Sequence, residues 1–169
     1  MKAARGDEAL RRFRFSQPNA DYFITANLAE KSIGRWSPAT RDAIRRELEA
    51  IQTDGHWRIR GAVIMPDHLH LLITLGDSLD LSRVMARLKA RTGTALLRQG
   101  LRWQSNFYEH RLRPNEDEAN VLLYLFLNPH RAGLIPASAS YPWFWLGKVE
   151  QEWFEPGLDD GAPLAEWLR

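Results

Sequence analysis

Short apolar, β-branched runs alternate with longer segments of helical periodicity along this chain. The strand-type runs are bounded by glycine, proline or aspartate, and the helical runs repeat apolar residues every three or four positions. The predicted strands are, in chain order, 21–30, 57–66, 68–75 and 103–113. The predicted helices are 37–53, 79–100 and one that starts at the acidic triplet 116–118 and ends at Asn128, before Pro129.

This order, β-α-β-β-α-β followed by one more helix, predicts an α+β protein of the ferredoxin-like plan. In that plan an antiparallel sheet carries helices on one face, and the strand at 68–75 lies centrally. The additional C-terminal helix follows the sheet. Residues 1–136 are expected to form the domain, and 137–169 an irregular extension rich in proline and tryptophan that is not an independent domain.

Charge is distributed unevenly along the sequence. Residues 1–136 carry 21 basic and 15 acidic side chains, whereas 137–169 carry 2 and 6, so a net charge of +2 divides into a basic body and an acidic tail. Such a body suits a polyanionic partner, and it is equally compatible with ordinary surface charge. The absence of cysteine excludes disulfides and thiolate metal sites. No apolar run approaches the roughly 18 residues of a membrane span, so we expect a cytoplasmic protein without a membrane partner.

Two histidines stand out in the run GAVIMPDHLHLLITL (61–75), where His68 and His70 flank one leucine. Alternate residues of a strand project from the same face, so both rings can reach one metal ion. Imidazole is the commonest protein metal ligand, and two on one strand leave coordination positions open for substrate. In isolation, such a pair is more often a set of buried rings satisfied by backbone groups. The pair alone leaves both interpretations open.

The last predicted helix carries polar groups on one face of an apolar segment, VLLYLFL. Asn120, Tyr124 and Asn128 are spaced four apart and therefore share a face. A tyrosine and an amide fixed side by side can supply a nucleophile and an oxygen ligand together. A phenol, with an ordinary pKa of about 10, is a poor nucleophile while protonated, and a nearby divalent cation favours the phenolate.

The candidate ligands narrow the choice of metal ion but do not identify a single one. Two imidazole nitrogens and one amide oxygen suit Mg²⁺ or Mn²⁺ when phosphate oxygens complete the shell. Zinc is chemically compatible with histidine ligands, but a hydrolytic zinc site normally has a third strong ligand and a carboxylate base nearby. Asp67 adjoins His68, yet in a regular strand it projects to the opposite face.

Several blocks of this sequence resemble those of the REP-associated tyrosine transposases, members of the single-tyrosine HUH, or IS200-like, transposase superfamily. REP stands for repetitive extragenic palindromic, and HUH for histidine, hydrophobic residue, histidine. The blocks are, in chain order, PDHLHLL, LSRVMARLKAR, WQSNFYEHRLR, LLYLFLNPHRAGLI and YPW. They follow the family's order over about residues 20–145, which is far more specific than a lone HxH.

The resemblance implies a metal-dependent single-stranded DNA endonuclease and strand transferase that acts on REP hairpins. His68, His70 and Asn128 match the family's ligands for Mg²⁺ or Mn²⁺, and Tyr124 matches its nucleophile. Attack in the family leaves a 5′-phosphotyrosine and a free 3′-hydroxyl. The expected partner is single-stranded DNA with a hairpin, bound by a monomer in preference to a homodimer. The sequence has Asp67 where the family pattern has asparagine, a variation expected to carry little mechanistic weight.

Basic and aromatic side chains are candidates for holding the DNA. Phosphate contacts add affinity that falls with salt, and an aromatic ring can stack on an unpaired base. A solvated helix face and core packing are the competing interpretations. The candidates are Arg83, Arg87, Lys89, Arg91 and Trp103, and the rings of Phe107 and Tyr108 are open to the same two interpretations as Trp103. Two other functions compete with cleavage by tyrosine: a hairpin-binding regulator without catalysis, and a metal hydrolase that uses water.

Overall fold

The computed structural model describes residues 16–29 and 36–156. The strands are β1 (Asp21–Asn27), β2 (Trp57–Ile64), β3 (His68–Leu75), β4 (Tyr108–Arg111) and β5 (Phe144–Leu146). The helices are α1 (Pro38–Thr53), α2 (Leu81–Leu97) and α3 (Glu118–Arg131), and a short 3-10 helix spans Glu150–Glu152. In the part of the chain so described, no helix is both long and apolar enough to cross a membrane.

The strands form one sheet in the order β4-β1-β3-β2-β5, and every neighbouring pair is antiparallel. The first four positions follow the ferredoxin-like plan, so the predicted α+β fold is confirmed, with β3 in the centre. The fifth strand is a correction, because it lies in the segment predicted to be irregular. Its three residues are too few to show an alternating pattern, and they pair with Gly61, Ala62 and Val63 of β2.

Helices cover both faces of the sheet. One face buries alternate strand residues such as Ile24 and Leu71 beneath α1 and α2. The other face presents Phe23, Val63 and Leu72, which pack against α3. Alternation along each strand therefore sends neighbouring residues into two separate apolar clusters. The third helix is thereby placed on the face of the sheet that the two-helix layer leaves open.

Capping side chains start all three helices. Ser37 accepts the backbone N–H of Thr40 at 3.2 Å, which confirms the predicted start of α1. Asp80 accepts the N–H of Arg83 at 2.8 Å, and Asp117 does the same for Ala119 at 2.9 Å. Each cap satisfies a backbone donor that the first helical turn leaves without a partner. Each helix therefore begins directly after a serine or aspartate that caps it.

Two predicted boundaries were wrong. The strand predicted over 103–113 is regular only over Tyr108–Arg111, although Trp103 forms an isolated bridge with Leu28. Helix α3 continues through Pro129 instead of ending before it, because a proline in the last turn removes only one hydrogen bond. The helix ends at Arg131, and Gly133, just beyond it, has a φ of +66° that favours glycine.

That end of α3 is a Schellman motif. The N–H of Gly133 donates to the carbonyl of His130, and the N–H of Leu134 donates to the carbonyl of Pro129, both at 3.0 Å. The signal for the helix end was therefore the glycine, four positions after the proline.

A buried arginine connects β1, β2, α3 and the tail. The Arg60 side chain is 8% exposed and contacts Asp21 at 2.7 Å, Glu150 at 2.8 Å and also Glu118. Glu150 is fully buried and takes a second ion pair from Arg58 at 2.9 Å. Burial raises the pKa of Glu150, but hydrogen bonds from the two arginines outweigh it and hold that pKa below its usual value.

Replacing Glu150 should destabilise the fold. Glu150→Gln leaves buried positive charge less well compensated, and we expect a loss of about 3 kcal/mol in the free energy of unfolding at neutral pH, measured by urea denaturation. Because the folded-state pKa is depressed, the contribution of Glu150 is present above its unfolded pKa of about 4.3 and is lost as pH falls through the folded pKa. The difference in free energy of unfolding between the unmodified protein and Glu150→Gln should therefore become smaller at acidic pH.

Glu49→Gln is the matched control for this prediction. Glu49 pairs with Arg45 on the exposed surface of α1, with side chains 51% and 43% exposed, so its removal should change stability by less than about 0.5 kcal/mol. Equal losses in the two variants would contradict the assignment of Glu150 as a buried charge partner.

Gly61 sets how closely α3 approaches the sheet. A Cβ atom at Gly61 would lie 2.6 Å from Leu122 Cδ2 and 3.1 Å from Leu125 Cδ1. Both leucines are fully buried, so neither can swing into solvent to make room. The helix therefore packs directly on the glycine backbone of β2.

Gly61→Ala should loosen this contact. We expect overpacking to lower the free energy of unfolding by about 1–3 kcal/mol, because the leucines or the helix must shift. Gly93→Ala is the control: nothing lies within 4 Å of a Cβ at Gly93, and alanine should raise the stability of α2 by about 0.5–1 kcal/mol. Thermal and urea unfolding measure both effects, and a neutral or stabilising Gly61→Ala would refute the close-approach argument.

Candidate active site

The two histidines of β3 lie on the face of the sheet that α3 covers. His68 and His70 share that face with Leu72, and their ring centroids are 4.6 Å apart at an angle of 75°. Across the neighbouring strand β1, Asn27 is opposite His68 and Thr25 is opposite His70. The strand register therefore surrounds the imidazoles with short polar side chains.

An acidic side chain orients His68. Asp67 Oδ1 lies 2.6 Å from His68 Nδ1, and because a carboxylate only accepts, Nδ1–H is the donor. This arrangement directs a metal bond to Nε2, as in the carboxylate–histidine pairs of known metal sites. Asp67 precedes the strand, so the opposite-face position that a regular strand would give it does not apply.

A hydroxyl group fixes His70 in a similar way. Thr25 Oγ1 and His70 Nδ1 share a hydrogen bond of 2.8 Å, and the ring is 5.4 Å from that of Phe23 in a stacked geometry of 25°. His70 is 6% exposed, compared with 21% for the side chain of His68. With Nδ1 held by the threonine, coordination by His70 would use Nε2.

The fold brings Tyr124 to the histidines. Helix α3 places its ring 5.4 Å from that of His70 and 5.8 Å from that of Phe23, both edge to face. Residues 54 positions apart in sequence thus meet on the same face of the sheet. Asn128 follows one turn later on the same side of α3 and is half-buried. The sequence expectation that these two halves converge is met for Tyr124 and His70.

The predicted DNA contacts lie elsewhere. Helix α2 packs on the opposite face of the sheet from the histidines, so its basic residues do not line this site. Arg87 is paired with Glu47 at 2.9 Å and with Asp54 at 2.7 Å, and Lys89 donates to backbone carbonyls, including that of Gln104 at 2.8 Å. The exposed members are Arg83, beside Asp80, and Arg91. Contact of α2 with DNA stays a prediction about a surface away from the histidines.

Trp103 also lies on the two-helix face. Its indole N–H donates to Thr92 Oγ1 at 2.9 Å, and its ring meets Trp36 edge to face at 5.3 Å. This position fits core packing, the alternative that the sequence left open.

Strand β4 adds two side chains beside the site: His110, and Tyr108, which the sequence left open between base stacking and core packing. His110 lies opposite Phe23, and its Nε2 is 2.9 Å from Glu116. Tyr108 lies opposite Thr25 and is 46% exposed. Burial raises the pKa of Tyr108, and the negative charge of Glu116 raises it further. Only the strand register reveals these neighbours, since β4 is short and its sequence does not alternate.

The donor set fits a divalent cation that keeps open positions. Among the described residues, no group of three or more His, Cys, Asp or Glu side chains is arranged to hold a metal ion. Two histidine nitrogens, each with its other nitrogen hydrogen-bonded, would therefore need oxygen ligands from an amide and from substrate. Asn128 lies on the same side of α3 as Tyr124 and is the candidate amide ligand. Phosphate oxygens would supply the rest.

Comparisons of the sequence and of the fold with known proteins each found similarity to transposases. A family model described as "Transposase IS200 like" matches residues 31–112, a span that includes both histidines and stops before Tyr124. A REP-associated tyrosine transposase of Escherichia coli (strain K12) is 24% identical over 131 residues, which cover 76% of this chain and 78% of that protein. A solved structure of a REP-associated tyrosine transposase bound to a REP hairpin superposes with a TM-score of 0.67 at 22% identity, covering 85% of this chain and 82% of that one.

Asp67 should strengthen metal binding through His68. We expect Asp67→Ala to weaken Mn²⁺ binding to the free protein by about 10- to 100-fold, because His68 loses the partner that fixes its tautomer and orientation. Asp67→Asn should weaken it less, since the amide oxygen accepts the same hydrogen bond. Titration calorimetry or the electron paramagnetic resonance signal of Mn²⁺ measures the affinity. Asp77→Ala, at the exposed far end of β3, is the control, and unchanged affinity in Asp67→Ala would contradict this role.

Proposed function

We propose that this chain, which is similar to REP-associated tyrosine transposases, is a metal-dependent single-stranded DNA endonuclease and strand transferase acting on hairpin DNA. The contact between the Tyr124 and His70 rings, at 5.4 Å, is the observation that carries the proposal. Without the histidines nearby, Tyr124 would lack a holder for an activating cation, and a histidine pair alone would not distinguish attack by tyrosine from attack by water.

The proposed reaction is a transesterification. The oxygen of Tyr124 forms a bond to the scissile phosphorus while the bond to the 3′ oxygen of the preceding nucleotide breaks. The phenol loses a proton and the 3′ oxygen gains one, leaving a 5′-phosphotyrosine and a free 3′-hydroxyl. The energy of the phosphodiester is retained in the new ester, so a 3′-hydroxyl can reverse the step and join strands without a nucleotide cofactor.

The residues around the tyrosine have separate tasks in this scheme. His68, His70 and Asn128 would hold a divalent cation, with Mg²⁺ and Mn²⁺ as the ions that match the donors. Such an ion, when bound, neutralises charge on the phosphate and favours the phenolate. Asp67 and Thr25 keep the two imidazoles oriented. The edge contact of Phe23 with Tyr124 positions the phenol and excludes water from one side of it.

One chain supplies both halves of the site. His70 lies on β3 and Tyr124 on α3, and the two meet without a second subunit. This arrangement supports cleavage by a monomer with its catalytic helix acting in cis. It does not require the exchange of helices between two subunits.

A covalent adduct is the test of the proposed function. Incubation with single-stranded hairpin DNA and Mg²⁺ or Mn²⁺ should give a protein–DNA species that survives denaturation, and Tyr124→Phe should reduce it below detection. His68→Ala should abolish the adduct while hairpin binding persists. His56→Ala is the matched control, because His56 contacts Ser78 at the other end of β3 and should leave the adduct intact.

The rival functions predict other products. Binding of the hairpin with no adduct under any metal condition would favour a regulator that has kept the fold. Cleavage that persists in Tyr124→Phe would assign the attack to water and overturn the role of the tyrosine.

A further inference from the structure

An exposed aromatic ring lies next to the site. Four large apolar or aromatic side chains are more than two-fifths exposed within the described residues: Leu97, Tyr108, Val149 and Trp153. Of these, only Tyr108 is in the same row of the sheet as a site histidine. The row crosses three strands, because Thr25 of β1 is the register partner of both Tyr108 in β4 and His70 in β3.

The distance along this row is short. Adjacent strands are separated by about 4.8 Å, so the backbone of Tyr108 lies roughly 10 Å from that of His70. A nucleotide next to a phosphate bound at His70 would therefore pass over β1 toward β4. Among the described residues β4 is the edge of the sheet, so no described strand pairs with its outer side. This edge is where we expect the DNA strand to pass.

The ring of Tyr108 is held in place from below. It meets Phe23 edge to face at 6.4 Å, and Phe23 in turn contacts both His70 and Tyr124. A ring fixed by such a contact loses little conformational entropy on stacking. The raised pKa of Tyr108 keeps its phenol neutral, so it adds no negative charge that would repel phosphate. The same effect makes Tyr108 a poorer nucleophile than an unperturbed tyrosine.

We propose that Tyr108 is a stacking platform for one unpaired nucleobase adjacent to the scissile phosphate. This inference rests on the proposed function and deepens it, because it names the part of the DNA that the β4 edge recognises. The base must be unpaired, since a base within a helix has both faces covered by its neighbours. Stacking of this kind tolerates any base, so Tyr108 sets the position of the strand and not its sequence.

The test measures base stacking directly. In the Tyr124→Phe background, which prevents cleavage, the probe is the hairpin oligonucleotide that forms the adduct with the unmodified protein. 2-Aminopurine replaces each unpaired base beside the cleavage position in turn. We expect its fluorescence to be quenched on binding at one position. Tyr108→Ala should remove that quenching and weaken binding by about 5- to 100-fold, whereas Tyr108→Phe should retain both.

Two controls separate stacking from a structural effect. Trp153→Ala removes an aromatic side chain that is 42% exposed but follows β5, at the opposite edge of the sheet, and should change neither quenching nor affinity. An abasic residue at the quenched position should weaken binding to the protein with Tyr108 and have little further effect on Tyr108→Ala. If the abasic residue and Tyr108→Ala weaken binding additively, the Tyr108 ring and that base do not interact.

The outcomes also distinguish this inference from the proposed function. If the adduct forms and Tyr108→Ala binds every oligonucleotide as tightly as its parent, with no quenching lost, the stacking proposal is refuted and the nuclease stands. If no adduct forms with any hairpin, the proposed function fails first, and quenching that still depends on Tyr108 would then describe a binding protein.

Discussion

The docking of α3 onto the second face of the sheet is the contact on which the candidate site depends. This sheet carries two helices on one side, and its other side presents Phe23, Val63 and Leu72, which are apolar and must be covered. Here α3 covers it with Val121, Leu122 and Leu125, and the absence of a side chain at Gly61 lets the helix lie close. Tyr124 reaches His70 only because this packing sets the height of the helix above the strands.

An ionic cluster holds the N-terminal end of α3. Glu118 lies in the first turn of α3 and binds Arg60 of β2, which also binds Asp21 of β1 and Glu150 of the tail. An arginine with three carboxylate partners is well compensated despite its burial, because its planar fork presents several donors at once. The apolar contact determines how close the helix lies, and the ionic cluster restricts its sliding along the sheet. Together they restrict where the phenol can be.

The sequence predicted the helices and strands, and the meeting of Tyr124 with the histidine strand, better than it predicted the side chains around the site. Periodicity and capping residues indicated α1, α2 and the histidine strand, since those signals are local. The contact of Asp67 with His68 was not predicted, because Asp67 precedes β3 and the alternation of a strand does not determine where its side chain points. Thr25 was not assigned, and Tyr108 was left open between base stacking and core packing, because both become neighbours of His70 only through strand register, which pairs residues far apart in the chain.

Two tyrosines touch Phe23 from different sides, and their environments suggest different tasks. Tyr124 lies edge to face with His70, where a cation held by the histidines would favour a phenolate. Tyr108 is 46% exposed on the edge strand, where burial of its phenol and the charge of Glu116 both oppose ionisation. Glu116 itself stays ionised, because hydrogen bonds from the Arg113 backbone and from His110 outweigh its burial and lower its pKa. The two environments thus differ, and we propose attack on phosphorus for Tyr124 and contact with a base for Tyr108.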